Sequence, residues 1–132
     1  MRLARVYESV LYAEDVPTVA AFYRDVLGLG LVDGPGELMA AFRLPDGGLL
    51  LIFDPGRSAR PGRQVPSHGA RGAGHIAFQV DPPQLGLWRT HLRELGIEIE
   101  SERSDADGAG QLYFRDPAGN SVEIVEGDIW PL

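Results

Sequence analysis

The pattern of apolar and polar positions in this chain occurs twice along its 132 residues. The first copy reads ESVLYAEDVP from Glu8 to Pro17, and the second reads HIAFQVDPP from His75 to Pro83. In both segments an apolar run that is typical of a strand leads into an acidic residue and a proline. The two segments start 67 residues apart, which predicts a chain built from two related modules.

A helix is predicted after each of these strands. Asp15 and Asp81 lie near the N-cap position, and a proline follows in the first turn. Gly28 and Gly96 are placed where left-handed C-terminal caps are expected. Between these ends, apolar residues recur at helical spacing and predict one buried face per helix, formed by Val19, Phe22, Tyr23, Val26 and Leu27 in the first and by Leu85, Trp88, Leu92 and Leu95 in the second.

Each module then closes with a predicted hairpin. The segments AFRLPDGGLLLIF from Ala41 to Phe53 and YFRDPAGNSVEIV from Tyr113 to Val125 are apolar runs separated by a Pro/Gly turn. Matched hairpin residues are 72 positions apart, whereas the matched first strands are 67 apart. The second module therefore contains five extra residues before its hairpin. The polar loop from Ser104 to Gly110 is expected to hold them.

These elements predict an α+β fold of two tandem βαβββ modules. The first module spans residues 1–54, a Gly/Pro/Arg-rich connector spans 55–74, and the second module spans 75–132. We expect one domain of two repeats, because a half-size unit alone would bury little apolar area. The connector is longer than most structureless loops, which indicates either mobility or a role as a lid.

Composition narrows the functional classes. The formal net charge of −7 argues against a nucleic-acid partner, because such recognition normally begins with a basic surface. The sequence contains neither a long apolar stretch of the kind that spans a membrane nor a signal-peptide pattern, so a cytoplasmic protein without membrane association is expected. Without cysteine, a bound metal would have to be held by Asp, Glu or one of the three histidines, which are His68, His75 and His91.

Three polar residues occupy matched positions in the repeat. Glu8 and His75 start the first strands of the two modules, and Glu123 lies on the last strand, where its counterpart in the first module is Leu51. Matched strand positions point toward one cleft if the modules pack with pseudo-two-fold symmetry. Taken singly, each glutamate is equally compatible with a solvent-facing position, and His75 with a structural histidine. Their coincidence at matched positions favours a shared site for a divalent metal ion.

Three motifs in this chain resemble the vicinal oxygen chelate superfamily, which includes glyoxalase I, extradiol dioxygenases and bleomycin-resistance proteins. They read AFYRDVLGL over residues 21–29, GHIAF over 74–78, and FRDPAGN over 114–120, the last leading to Glu123. The resemblance covers nearly the whole chain. It implies a cup-shaped mixed sheet around a divalent ion, with ligands from the first and last strands of each module.

The resemblance also implies a site and a chemistry. His75 and Glu123 match the family pattern, whereas Glu8 replaces a histidine found in many metal-dependent members and Leu51 replaces a fourth ligand. Both departures argue against glyoxalase I activity and leave coordination positions open. The implied cofactor is Mn, Fe, Mg, Zn or Ni, which would chelate two adjacent oxygens of a small substrate in a lyase, isomerase or dioxygenase reaction. Glu8 or Glu123 could instead act as the catalytic base.

Other readings remain open at this stage. The resemblance implies a homodimer, and it also allows a metal-free binder like the bleomycin-resistance proteins, which hold a drug in a groove between subunits. The connector arginines are interpreted as solvated in preference to an anion clamp, and they are Arg57, Arg60, Arg63 and Arg71. His68 is expected near the pocket entrance and His91 on the surface. Aromatic strand residues such as Tyr12 and Tyr113 are expected in the core more often than in a pocket.

Overall fold

The computed structural model describes residues 1–104 and 110–131, and the chain divides into two compact units, Met1–Gly72 and Ala73–Leu132. The first unit contains β1 (Glu8–Tyr12), α1 (Val16–Asp25), β2 (Gly30–Asp33), β3 (Met39–Arg43), β4 (Leu49–Phe53) and the short helix α2 (Pro55–Ser58). The second contains β5 (His75–Val80), α3 (Gln84–Glu94), β6 (Ser101–Ser104), β7 (Gly110–Arg115) and β8 (Ser121–Glu126). The predicted order of strand, helix and three strands is confirmed in both units.

Each unit forms its own four-stranded mixed sheet. The strand orders are β1-β4-β3-β2 and β5-β8-β7-β6. The first strand of each unit pairs in parallel with the last, and the remaining pairs are antiparallel. The α+β fold of two tandem modules is therefore as predicted. Residues 105–109 of the loop expected to hold the five-residue insertion lie outside the described residues.

Strand register confirms the alignment of the repeats. Glu8 pairs with Leu49 in the first sheet, and His75 pairs with Ser121 in the second. Leu49 and Ser121 are 72 residues apart, which is the offset of the hairpins, so Glu8 and His75 begin their strands opposite matched partners. Within its own sheet, each of these two residues occupies the same position.

One face of each sheet is covered by its helix. In the first unit, Val16, Val19 and Tyr23 of α1 are buried against residues such as Phe42 and Ile52 of the sheet. In the second unit, the buried residues of α3 pack on β7 and β8, and the core comprises Leu85, Leu92, Leu112, Phe114, Val122 and Ile124. Because strand side chains alternate, the residues between these core positions occupy the opposite face of each sheet.

Helix ends follow the prediction with two exceptions. Gly28 and Gly96 have positive φ angles of 70° and 71°, as left-handed C-terminal caps require. Asp15 caps α1 by accepting a hydrogen bond from Thr18 N at 3.2 Å. Asp81 was predicted near the cap of α3, but this helix starts at Gln84 and its Leu85 N donates to Glu126 of β8 at 2.8 Å. Leu95, predicted on the buried face, follows the end of α3 and is 50% exposed.

Residues 55–72 of the connector belong to the first unit. The connector begins with α2, and Ser58 O accepts hydrogen bonds from His68 N at 3.1 Å and from Arg63 Nη1 at 2.9 Å. His68, predicted near the pocket entrance, lies against the first sheet, where its Nδ1 is 2.7 Å from the hydroxyl of Tyr12 and its ring packs edge-on against Phe53. Within the described part of the chain, no helix is both long and apolar enough to cross a membrane.

Candidate functional site

Several polar side chains lie on the face of the second sheet that is opposite α3. Glu123 of β8 pairs with Ala77 of β5 on one side and with Tyr113 of β7 on the other. His75 lies two residues before Ala77, so it projects from the same face as Glu123. Two of the three predicted ligands are therefore brought together within one sheet.

His75 and Glu123 are in direct contact. The distance from His75 Nε2 to Glu123 Oε2 is 3.3 Å, and the His75 side chain is 51% exposed whereas that of Glu123 is 7% exposed. His75 Nδ1 lies 3.1 Å from the carbonyl oxygen of Ser121. Because a carbonyl only accepts hydrogen bonds, Nδ1 carries the proton, and in a neutral imidazole Nε2 then presents a lone pair to the carboxylate. Such an approach of two lone pairs is stabilised by a proton between the two groups or by a metal ion.

Tyr113 forms a hydrogen bond with Glu123. Its hydroxyl donates to Glu123 Oε1 at 3.2 Å, so the two carboxylate oxygens have different partners. Burial of Tyr113 and the neighbouring charge of Glu123 raise the pKa of the phenol above its ordinary value, which favours the protonated, donating form. A buried carboxylate needs such compensation for its lost hydration.

The sequence analysis favoured a core position for Tyr113 over a pocket, but this residue lines the cleft, and a signal for that position was available. The predicted hairpin turns around Pro117–Gly119, and counting outward from that turn places Tyr113 directly opposite Glu123, as observed. In the first unit the residue 72 positions earlier is Ala41, so the tyrosine breaks the match between the repeats.

A cleft of about 770 Å³ lies over this face of the second sheet. Gln79 Nε2 donates to Gly127 O at 2.7 Å and ties the C-terminal segment to the rim. Besides His75, Tyr113 and Glu123, the cleft is lined by polar strand residues and by the C-terminal segment, including Arg103, Gln111, Asp128, Ile129 and Trp130.

Glu8, the third predicted ligand, lies in the first unit. It is an exposed residue at the start of β1. Leu51, the counterpart of Glu123, is buried in an apolar cluster with Ala41 and Phe53, so the equivalent face of the first sheet is largely apolar. Within either unit, the described residues place no group of three His, Asp or Glu side chains together as a metal site would require. The three-ligand set therefore stays a prediction.

Of the other two histidines, His68 belongs to the first unit and His91 to α3 of the second. His68 packs on the first sheet, as described above. His91 was predicted on the surface, but it is half-buried, and its ring packs edge-on against Trp88 of α3 with a centroid separation of 5.4 Å. His75, by contrast, contacts the buried carboxylate of Glu123.

Comparison with known proteins agrees with this architecture. A crystal structure of lactoylglutathione lyase from Agrobacterium tumefaciens is 38% identical, covers 99% of both chains and superposes with a TM-score of 0.92. A metallothiol transferase FosB of Shouchella clausii is 36% identical over 58 residues, 42% of this chain. A putative ring-cleaving dioxygenase, MhqE of Bacillus subtilis, is 27% identical over 134 residues, 96% of this chain.

The chain covers 39% of the length of that metallothiol transferase and 42% of that of the dioxygenase. These relatives differ in their named activities. One family model matches residues 5–124 of this chain. The chain therefore belongs to the Glyoxalase/Bleomycin resistance protein/Dioxygenase superfamily.

Proposed function

We propose that this chain is a metal-dependent enzyme of the vicinal oxygen chelate type that acts on a small oxygenated substrate. The observation that carries the proposal is the contact between His75 and the buried Glu123 on the floor of the cleft. A volume of about 770 Å³ is within the range of small-molecule sites. The substrate is accordingly a small molecule.

The two residues fit a divalent ion. Two ligand atoms that each lie about 2.1 Å from a metal are roughly 3.0–3.4 Å apart in octahedral or tetrahedral geometry. The distance between His75 Nε2 and Glu123 Oε2 is 3.3 Å, and His75 Nδ1 is already occupied by Ser121 O, which leaves Nε2 to ligate. One imidazole and carboxylates suit Mn, Fe, Mg, Zn or Ni, and Glu8 is proposed as the third ligand.

When bound, a divalent ion supplies Lewis-acid polarisation of two adjacent substrate oxygens. The chain's own residues then orient the substrate and move protons. Tyr113 holds Glu123 Oε1 and so fixes the direction of the other carboxylate oxygen. Glu8, or Glu123 if it does not ligate permanently, is proposed as the base that takes a proton from the substrate.

The relatives support a class of chemistry and do not favour any single reaction within it. Their names describe a lyase, a metallothiol transferase and a ring-cleaving dioxygenase. We therefore propose lyase, isomerase or dioxygenase chemistry, and a homodimer as the assembled form.

Metal analysis of variants tests this proposal. The full chain is purified without chelator, reconstituted with Mn²⁺, Fe²⁺ or Zn²⁺, and its metal content is measured by mass spectrometry. Wild type is expected to hold close to one ion per site, and His75→Ala and Glu123→Ala to lose it. His91→Ala removes a histidine outside the cleft and is the matched control. Absence of stoichiometric metal in reconstituted wild type would contradict the proposal.

The same measurement on Glu8→Ala tests the third ligand. Loss of metal in this variant, with circular dichroism unchanged, supports a role for Glu8 in ligation. Retention of metal together with loss of activity supports its role as a base instead.

A metal-free binding protein is the second candidate. The apolar rim of the cleft, formed by Ile129 and the 77% exposed Trp130, favours it. In that case His75 would be a protonated partner of Glu123. Ligand binding that is unaffected by EDTA would distinguish this function from the first.

A further inference from the structure

We propose that the cleft of the second unit is built for a substrate that carries an anionic oxygen group, such as a carboxylate, and that Arg103 binds this group. The inference rests on the proposed function, in which two adjacent oxygens at one end of the substrate bind the metal ion. It adds a second contact point to the same site, which limits the class of substrate.

Arg103 lies on the cleft face of the sheet. It belongs to β6, pairs with Gln111 of β7, and lines the cleft with Tyr113 and Glu123. Its guanidinium carries a positive charge in the same cleft as the carboxylate of Glu123 and so contributes to the electrostatics of the cleft.

Within the described part of the chain, the arginines that neighbour Arg103 pair with carboxylates, whereas Arg103 does not. On and beside the same strand, Arg89 pairs with Glu102, and Arg115 pairs with Glu100 at 3.0 Å. Arg103 forms no ion pair with a carboxylate among residues 1–104 and 110–131. In a chain with a net charge of −7, such a cation inside a cleft is suited to an anionic ligand.

The spacing suits a small molecule. Tyr113 pairs with both Glu123 and Ser101, and Arg103 is two residues beyond Ser101. Two strand separations and two residue steps put the Cα atoms of Glu123 and Arg103 roughly 12 Å apart. Because both side chains project over the same face, a molecule of about one ring in length could contact both. The planar guanidinium can donate two parallel hydrogen bonds to a carboxylate.

Two probes test the inference. The compound 3,4-dihydroxybenzoate carries adjacent oxygens and a carboxylate, and 3,4-dihydroxybenzamide keeps the adjacent oxygens but is neutral. Isothermal titration calorimetry on the full Mn²⁺-reconstituted chain is expected to give tighter binding of the benzoate by about tenfold or more, as a charge-assisted contact implies. Arg103→Gln should remove this preference and leave the affinity for the benzamide unchanged.

Two further variants serve as controls. Arg103→Lys keeps the charge without the planar fork and should retain part of the preference. Arg93→Gln removes an exposed charge from α3 and should behave as wild type. Circular dichroism of each variant verifies that it is folded.

Repeating the titrations in EDTA separates this inference from the proposed function. If the chain binds no metal, the proposed function fails, yet the preference for benzoate over benzamide and its dependence on Arg103 should persist. Equal affinities for the two probes in wild type, including no measurable binding of either, would overturn the inference. An unchanged preference in Arg103→Gln would do the same.

Discussion

Oε2 of Glu123 lies 3.3 Å from Nε2 of His75, and the two residues belong to neighbouring parallel strands of one sheet. The carboxylate is buried, whereas the imidazole is half-exposed. A proton between the two groups or a metal ion would each stabilise this buried contact. Stability measurements on variants of this pair are informative because these two possibilities have different energetic consequences.

Glu123→Leu should preserve or increase the stability of the metal-free protein. Leucine is the natural residue at the matched position 51, and burying it contributes about 1.5–3 kcal/mol. His75 is half-exposed and stays in contact with water, so no charge is left buried without a partner. The free energy of unfolding, measured with urea in EDTA, should equal that of wild type or exceed it by up to about 2 kcal/mol.

The reciprocal change provides the control. Leu51→Glu puts a carboxylate among the apolar side chains of Val10, Ala41 and Phe53, and should cost about 3 kcal/mol or more. A loss of more than about 2 kcal/mol in Glu123→Leu would show that Glu123 contributes to folding and not only to a site.

Tyr113→Phe should weaken metal binding without unfolding the protein. The substitution removes the hydroxyl that donates to Glu123 Oε1 at 3.2 Å, so the carboxylate loses the group that orients it. Loss of such an outer partner typically lowers metal affinity about 10- to 100-fold. Mn²⁺ titration measures the effect. Tyr7→Phe, at a residue that is 60% exposed, is the control, and equal affinity in the two variants would contradict the prediction.

The fold was predictable because the repeat supplies each pattern twice. Gly28 and Gly96 ended the two helices at matched places, and both adopt the expected positive φ. The 72-residue offset between the hairpins also identified Leu51 as the counterpart of Glu123 in the first module. Local periodicity, caps and turns are properties of short segments, so they can be recognised without knowledge of distant contacts.

Contacts between distant segments could not be predicted in the same way. Asp81 is adjacent to the start of α3 in sequence, but Glu126 supplies the cap because β8 lies beside that helix end. In the sequence, the connector is recognisable only by its Gly, Pro and Arg content. Its position in the structure depends on the contacts of His68 with Tyr12 and Phe53. The proposed role of Glu8 depends on such a long-range arrangement and remains a prediction.

Asn120→Ala should destabilise the protein and displace His75. Asn120 is 1% exposed, its Oδ1 accepts from Gly74 N at 2.8 Å, and its Nδ2 donates to Asp116 at 2.9 Å. The alanine variant leaves the buried Asp116 carboxylate and the amide of the residue before His75 without these partners, at a cost of about 2–4 kcal/mol. Urea unfolding measures the loss.

Asp46→Ala alters the turn of the other hairpin and is the matched control. Asp46 is exposed and its carboxylate accepts a hydrogen bond from Gly48 N at 2.8 Å, so a loss of about 1 kcal/mol is expected. If both variants lost the same stability, the buried network at Asn120 would have no special role.

His68→Ala should loosen the connector and expose it to trypsin. His68 contacts the hydroxyl of Tyr12 at 2.7 Å and the ring of Phe53 at 4.7 Å, and these contacts hold the connector on the first sheet. The connector contains three arginines at which trypsin cleaves, Arg57, Arg63 and Arg71, whereas the bond after Arg60 precedes Pro61 and resists trypsin. Because proteolysis follows the population of locally opened chain, removal of both contacts should speed cleavage between residues 57 and 71 by about tenfold. Mass spectrometry of timed digests identifies the cut sites, and His91→Ala should be cleaved in the connector at the wild-type rate. Equal rates in all three proteins would show that the other connector contacts, such as those of Ser58 with Arg63, are sufficient to hold it.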